Sequence, residues 1–497
     1  MWRSIWLHFE RATPWPDAEP AAWVPRACWL LTALVLVTGA LTVRPLRDGD
    51  AFEYLLMTES LARHGTPEVR PADVWSLARM DRRLKLGLSY GTGVSGYFDD
   101  GSGAWHSWHF WGYSLFSVPA RLGLGALGAN GLRAFSLTNV VVLLIVLHRV
   151  LFARWADGRW RLAFALLLLT SPVVSFLRWP HPEAMTVALV ALALVDFMSG
   201  SRGRAVMWSA VGSLQSGPII LLTALLWVLV LLERRLSRIV MATVAGMPAL
   251  LSPLFYWWHY GTLSLLGREA ASLGNVSLWR AAELLLDLNI GLAPYMPVTV
   301  GLFAAAAVAA LACVRRSPFD AALVGVVGLG ALASTSTANW NHATIGPSRY
   351  AVWLSPIVLF LVVRLGGMLR SGKLLAFYRG GLILAITTQA LVMVAKRGPL
   401  AEPDYLQHSY LARFVLHHAP ALYRPSVPVF AERTTGKDPP PAGPYVYAEE
   451  GRCRKVLMRS SLADESAVLQ ACGGRPRDSD ARVRPDCDRD AWVYVDY

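Results

Sequence analysis

The chemistry-bearing residues of this chain of 497 amino acids gather at the ends of apolar runs. The segment DGDAFEYLLMTESLARHGTP follows the first long apolar run directly and brings Asp48, Asp50 and Glu53 beside hydrocarbon. A carboxylate there can take a proton from a hydroxyl or share a cation, and partial burial should raise its pKa toward neutrality. Farther on, RWPHPE supplies Glu183, and WNHATIGPSRY supplies His342, Arg349 and Tyr350. The first polar loop also holds Tyr54, and its Asp48, Asp50, Asp99, Asp100, His106 and His109 are donors enough for a divalent ion. They keep no fixed ligand spacing, so metal use stays unknown.

Each of these residues also has a purely structural reading. Asp50 is a favoured helix N-cap, and Glu53 stands where a capping-box carboxylate would reach back to it. Glu183 begins an apolar run, where an acid complements the helix dipole. Arg349 heads another run and could simply snorkel, while a loop histidine such as His342 is usually just solvated. Asp99-Asp100-Gly101-Ser102-Gly103 has turn chemistry.

The elements that must position these groups are set by composition. The chain is 54% hydrophobic and 16% charged, with a mean hydropathy of +0.39, and its apolar residues come in long blocks. That excludes a soluble protein of this size and predicts an all-α polytopic membrane protein. The net charge of +13 does not point to nucleic acid, because the arginines sit in short loops between apolar blocks. The start lacks a cleavable signal pattern, so the first span is expected to be kept; Trp2, Ile5, Trp6 and Phe9 could form a short interfacial helix or a frayed tail.

Spans are predicted over residues 26–43, 132–151, 162–177, 183–198, 239–256, 294–314, 321–334, 350–363 and 374–394. Residues 205–235, broken at Gly217-Pro218, read as a helical hairpin that returns to its starting side. Residues 52–64 read as an amphipathic helix lying in the interface, stopped by Gly65. Residues 108–128, broken by Pro119 and Arg121, read as an in-plane or half-inserted helix pair. Charge bias then places Arg149, Arg202, Arg234, Arg315 and Arg364 inside, and the loops holding Asp50, Glu183, His342 and Arg349 outside.

The division expected is a cytoplasmic or interfacial N-terminus (1–25), a multi-span domain (26–395) with a large outer loop (44–131), and a periplasmic C-terminal domain (396–497). That last piece is polar and proline-rich, with strands at YVYAEE, RKVLMR and AWVYVDY and a helix near SLADESAVLQAC, which predicts a small α/β domain. Cys453, Cys472 and Cys487 would give one disulfide and one spare thiol in an oxidising compartment, while Cys28 and Cys313 would be packed within spans.

The outer loops resemble those of the polyprenyl-phosphate-sugar glycosyltransferases of superfamily C, especially the aminoarabinose transferases and protein O-mannosyltransferases. Asp50, Tyr54 and Gly65 keep the spacing of that group's first external loop, although Ala51 replaces its Glu. The order continues through Tyr113, Asn130 and Arg133 in HFWGYSLFSVPARLGLGALGANGLRAFSLTNVV, Glu183 in RWPHPEAM, the Gln215-Ser216-Gly217-Pro218 break, where the group has Lys at Ser216, and Arg349-Tyr350 in SRYAVWLSP.

The resemblance implies an inverting transferase of a bacterial inner membrane. It would take a sugar from a polyprenyl-phosphate carrier and pass it to an envelope glycan, lipid or protein acceptor. Asp50 would be the general base and Glu183 a second catalytic carboxylate. Arg349, Tyr54, His342, Tyr350, Asp48 and His109 would bind substrate, Arg349 on the phosphate. Asp287 and Asn289 would line an acceptor groove or cap a helix. A transporter of lipid-linked saccharides would instead show internal repeats and midplane charges, which this sequence lacks. In a noncatalytic assembly subunit, Asp50 would be only a cap.

Overall fold

A computed structural model describes residues 21, 23–80, 96–342, 346–369, 372–400, 404–459 and 492–496. The chain is a polytopic bundle of helices with a small sheet region at its C-terminal end. The expected N-terminal helix, the helix near residues 461–472, and Cys472 and Cys487 lie outside the described residues.

The first span, α1 (Trp23–Thr42), exposes Leu30, Leu31, Leu34 and Val35, a face suited to lipid. A loop leads into α2 (Ala51–His64) and α3 (Pro71–Met80), then to a hairpin of β1 (Tyr97–Asp99) and β2 (Trp105–Ser107). Next come α4 (Gly112–Ala126), α5 (Ala134–Phe152), α6 (Gly158–Thr170), α7 (Glu183–Met198), α8 (Arg202–Ser213) and α9 (Ile220–Leu232). They are followed by α10 (Leu236–Gly246), α11 (Leu251–Tyr260), α12 (Leu265–Ala270), α13 (Leu278–Leu286), α14 (Pro297–Ala312), α15 (Pro318–Ser334), α16 (Arg349–Met368) and α17 (Gly372–Ala395).

The core is built on α7 and α16, which pack against each other and are buried on almost every face. Apolar helices with buried sides all round belong at the centre of a bundle. Among the described residues, five helical stretches have the length and hydropathy of a membrane span: Trp23–Thr42, Gly131–Phe152, Leu236–Tyr260, Arg349–Met368 and Gly372–Ala395. Shorter apolar helices fill in between them.

Several elements differ from the sequence expectation, each for a local reason. Residues 108–128 form one helix, α4, rather than a pair; Arg121 does not break it because its Nε donates to Glu59 Oε2 at 2.8 Å. The expected 162–177 span stops at Thr170, where Ser171-Pro172 starts a separate 3₁₀ turn. The helix α2 ends at Gly65 as expected, with φ of 74°, but it buries Glu53 through Leu61 without a gap, so it is an interior helix and not an amphipathic one. Cys313 is exposed just past α14, and Cys28 is half-buried.

The C-terminal part contains α18 (Tyr410–His418), α19 (Val427–Thr435) and a sheet of order β3 (Tyr445–Glu449), β4 (Arg452–Arg459), β5 (Trp492–Asp496), antiparallel throughout. Its own core joins Leu416, Tyr423, Phe430, Tyr445 and Leu457. Cys453 is disulfide-bonded. Polar contacts dock this part on the bundle. Tyr423 donates to Asp287 Oδ2 at 2.8 Å, Asn289 Nδ2 donates to the Tyr423 hydroxyl at 2.7 Å, and Ser426 donates through N and Oγ to Glu283 at 2.6 and 2.7 Å. Asp287 also accepts from the amides of Asn289 and Ile290, so its carboxylate is committed to a turn and a docking contact.

Candidate active site

Three loops at one end of the bundle are tied together before any functional group is considered. The Leu46 amide donates to the Arg178 carbonyl at 2.9 Å, and Trp179 Nε1 donates to the Asp48 carbonyl at 2.9 Å. Asn139 on α5 donates to the carbonyls of Leu177 and Trp179, and is itself held by the Tyr113 hydroxyl at 2.9 Å. Gly49 takes φ of 55°, a left-handed conformation that favours glycine, and turns the chain so that Asp50 heads α2.

Asp50 is the N-cap residue of α2, yet its side chain makes no cap hydrogen bond. Its Oδ2 instead accepts from Arg349 Nη1 at 2.9 Å and from His181 Nε2 at 3.1 Å, with His109 Nε2 at 3.3 Å. Glu53 does not close a capping box either. Its Oε2 accepts from Ser107 Oγ at 2.8 Å and lies 3.9 Å from His109 Nε2. The capping reading is thus replaced by a tertiary one: both carboxylates of the local motif are spent on contacts more than fifty residues away.

The groups behind Asp50 form a buried chain. His181 Nδ1 meets Glu183 Oε2 at 2.5 Å, so this imidazole lies between two carboxylates. Trp179 stacks on His181 with centroids 4.2 Å apart, and Tyr54, fully buried, stacks on His109 at 5.1 Å. Arg349 Nη2 contacts the Tyr350 hydroxyl at 3.3 Å, which also meets Thr337 Oγ1 at 3.1 Å.

Electrostatics reverse one expectation. Burial pushes the Asp50 carboxyl upward, as the sequence suggested, but His109, His181 and the Arg349 charge outweigh it and hold the group well below the usual range. Glu53 is the carboxyl that burial raises, to about 7, with His109 opposing and the Asp50 charge adding. Burial alone would strip the proton from His181; Glu183 and Asp50 at its two nitrogens raise its pKa instead. His342 is pushed down to about 3 by burial and by Arg349, and stays neutral.

The expected site residues therefore separate. Asp50, His109, Tyr54 and Arg349 come together directly. Tyr350 stands behind Arg349, and Glu183, wholly buried, stands behind His181 and does not reach Asp50. His342 lies beside Gly49 and Trp179, and Asp48 joins through its carbonyl, its own carboxyl raised by burial. Sequence reading missed His181, Trp179 and Ser107 as partners. The available signal was the aromatic and imidazole content of RWPHPE between two apolar blocks.

Among the described residues, two groups of side chains could hold a metal ion. Asp50, Glu53 and His109 form one, and Asp100, His106 and His259 the other, each with donor atoms within 4.8 Å of one another. At the first, a cation would compete with Arg349 for Asp50.

No protein-family model matches the chain, and neither does any curated protein. Among solved structures it is similar to ArnT from Cupriavidus metallidurans bound to undecaprenyl phosphate, at 12% identity and a TM-score of 0.47 over 96% of this chain and 98% of that one. It is also similar to ArnT from the same organism in the apo state, at 13% identity and a TM-score of 0.45 over 95% and 97%. At these values the functional reading rests on the site's own groups.

Proposed function

We propose that the chain is a membrane glycosyltransferase that moves a sugar from a polyprenyl-phosphate carrier to an envelope glycan, lipid or protein acceptor, on the outer face of a bacterial inner membrane. One observation carries this reading: a carboxylate, Asp50, with its side chain 27% exposed, meets the buried guanidinium of Arg349 at the end of a membrane span. The pair offers a proton acceptor for a hydroxyl and a cation for a phosphate within one small volume.

The acceptor hydroxyl attacks the anomeric carbon from the face opposite the phosphate, inverting it. The new C–O bond forms as the bond to the phosphate oxygen breaks, and that electron pair leaves on the polyprenyl phosphate. The hydroxyl proton goes to Asp50. No general acid is required, because the leaving group is already a stable anion. Arg349 Nε is buried with no hydrogen-bond partner among the described residues, and a phosphate oxygen would satisfy it. Sharing the guanidinium with the donor would weaken its hold on Asp50 and raise that carboxylate's basicity as the donor arrives. Glu183 acts through His181, as a positioning residue.

One observation favours a second assignment of the base. Glu53 titrates at about 7, nearer to working pH than Asp50. It is almost closed off, so it would need the first outer loop to open.

The test compares envelope sugar composition in cells lacking the protein, complemented with wild type or Asp50→Asn at equal membrane level. The expected result is a sugar lost on deletion, restored by wild type and not by Asp50→Asn. Full restoration by that variant would remove Asp50 as base and turn attention to Glu53.

A further inference from the structure

Away from Asp50, the hairpin of the first outer loop meets the end of a membrane span through a second cluster. We infer that Asp100, His106 and His259 bind a first-row divalent metal, zinc best fitting the donor set, which staples the β1–β2 hairpin to the end of α11. One carboxylate oxygen and two imidazoles make a three-ligand set with an open fourth position for water. Two nitrogens favour zinc over calcium or magnesium, which take oxygen.

The donor atoms are oriented by their neighbours, and a metal would replace the one contact they make among themselves, between Asp100 and His259. Asp100 Oδ1 accepts from the Ser102 amide at 2.9 Å and from Ser102 Oγ at 2.6 Å, which aims Oδ2 at the imidazoles. That Oδ2 meets His259 Nδ1 at 2.9 Å. The Tyr260 hydroxyl donates its single proton to the Phe98 carbonyl at 2.8 Å, so the 3.2 Å contact with His106 Nδ1 has the imidazole donating. His106 therefore carries its proton on Nδ1, leaving a lone pair on Nε2. A ligating histidine whose other nitrogen is tied to an oriented partner is the usual second layer of a metal centre.

The two rings lie 4.5 Å apart, His106 is 4% exposed, and Phe255 packs on both. The alternative is a simple hydrogen-bonded pair between Asp100 and His259, with His106 as a packed neighbour. The staple has a consequence at a distance. His106 is followed on the same strand by Ser107, which holds Glu53, and two residues later by His109, which faces Asp50. A metal at His106 would fix the segment that lines the site.

The test uses the full-length protein, tag removed, in detergent. It is stripped with a chelator, dialysed against zinc chloride and assayed for bound zinc and thermal melting, with cobalt absorption as a second readout. About one zinc per chain and a raised melting temperature are expected for wild type. His259→Ala and Asp100→Asn should lose both, while Glu53→Gln keeps them. His259→Asn, which can still hydrogen-bond Asp100, should fold and fail to bind, keeping the test sound if the alanine variant aggregates. Zinc absent from wild type, or retained by His259→Asn, would reduce the cluster to a hydrogen-bonded pair. Zinc lost from Glu53→Gln alone would place the ion at Asp50, Glu53 and His109 and overturn the assignment.

Discussion

Two carboxylates three residues apart on one helix turn are driven in opposite directions by what surrounds them. Asp50 is stabilised as an anion by Arg349 and two imidazoles, whereas Glu53 has burial and the Asp50 charge against it. The linkage signs are opposite. A folded pKa lowered below the unfolded value gives Asp50 a stabilising contribution that is present above about pH 4 and lost as pH falls through the folded value. Glu53, raised from 4.5 to about 7, favours the fold most below about pH 4.5 and loses that contribution as pH rises through 7. Glu53→Gln keeps an acceptor for Ser107 and abolishes the titration. It should melt higher than wild type at pH 8, by about 1–3 kcal/mol, with the difference vanishing toward pH 5. Equal melting curves at pH 8 would mean that Glu53 is ionised without cost. Arg349→Lys keeps the charge but not the planar fork, and transfer should fall by about ten- to a hundredfold in an assay with lipid-linked sugar.

At the scale of elements, the close approach of a glycine to Glu53 is the most exacting feature. Gly96 has φ of 77°, and a Cβ there would stand 2.2 Å from Glu53 Oε1. Gly96→Ala should therefore cost about 2–4 kcal/mol, part from the backbone and part from crowding. Gly101→Ala has a φ of 86° with nothing within 4 Å, so it measures the backbone part alone. A larger loss of melting temperature at Gly96, relieved in the background of Glu53→Ala, is the expected result; equal losses would remove the crowding argument. Much of this level was readable in the chain. Both ends of α7, Glu183 and Met198, follow from where the apolar run starts and stops, and the break at Gly217-Pro218 follows from proline chemistry. The interior position of α2 was not readable. Its Phe52, Leu55, Leu56 and Ala62 fall near one stripe at helical spacing as in an interfacial helix, and only the tertiary partners Ser107, Ser114, Ser76 and Arg121 explain why its polar residues are buried. The same gap hid His181: a capping motif is local and legible, whereas a contact across 131 residues leaves no spacing to read.

At the scale of the whole molecule, ion pairs stand at both ends of the bundle, and the proposed orientation can be tested against them. Along α16, Arg349 meets Asp50 at one end, and Arg364, fifteen residues and so about 22 Å further on, pairs through Nε and Nη2 with Asp320 at 3.1 and 3.2 Å. At that second end Arg149 pairs with Asp196, and Arg202 with Glu233 at 2.8 Å. Basic residues thus gather opposite the site, and the proposed orientation would put that end in the cytoplasm, as charge bias in membrane insertion favours. The decisive measurement is labelling with a membrane-impermeant maleimide, in a background where all five cysteines, Cys28, Cys313, Cys453, Cys472 and Cys487, are replaced by serine. Lys437→Cys, in the C-terminal part, should label in intact spheroplasts, and Arg316→Cys should label only after lysis. The reverse pattern would put Asp50 and Arg349 against the cytoplasmic leaflet, and the proposed donor would then have to be sought on that side. Docking is tested in the same preparation. Tyr423→Phe removes the hydroxyl that serves both Asp287 and Asn289, leaving two buried polar groups short of a partner at about 1–3 kcal/mol. Faster proteolysis between residues 400 and 409 is expected, with α1 to α17 staying intact, because the bundle's own core does not depend on that contact.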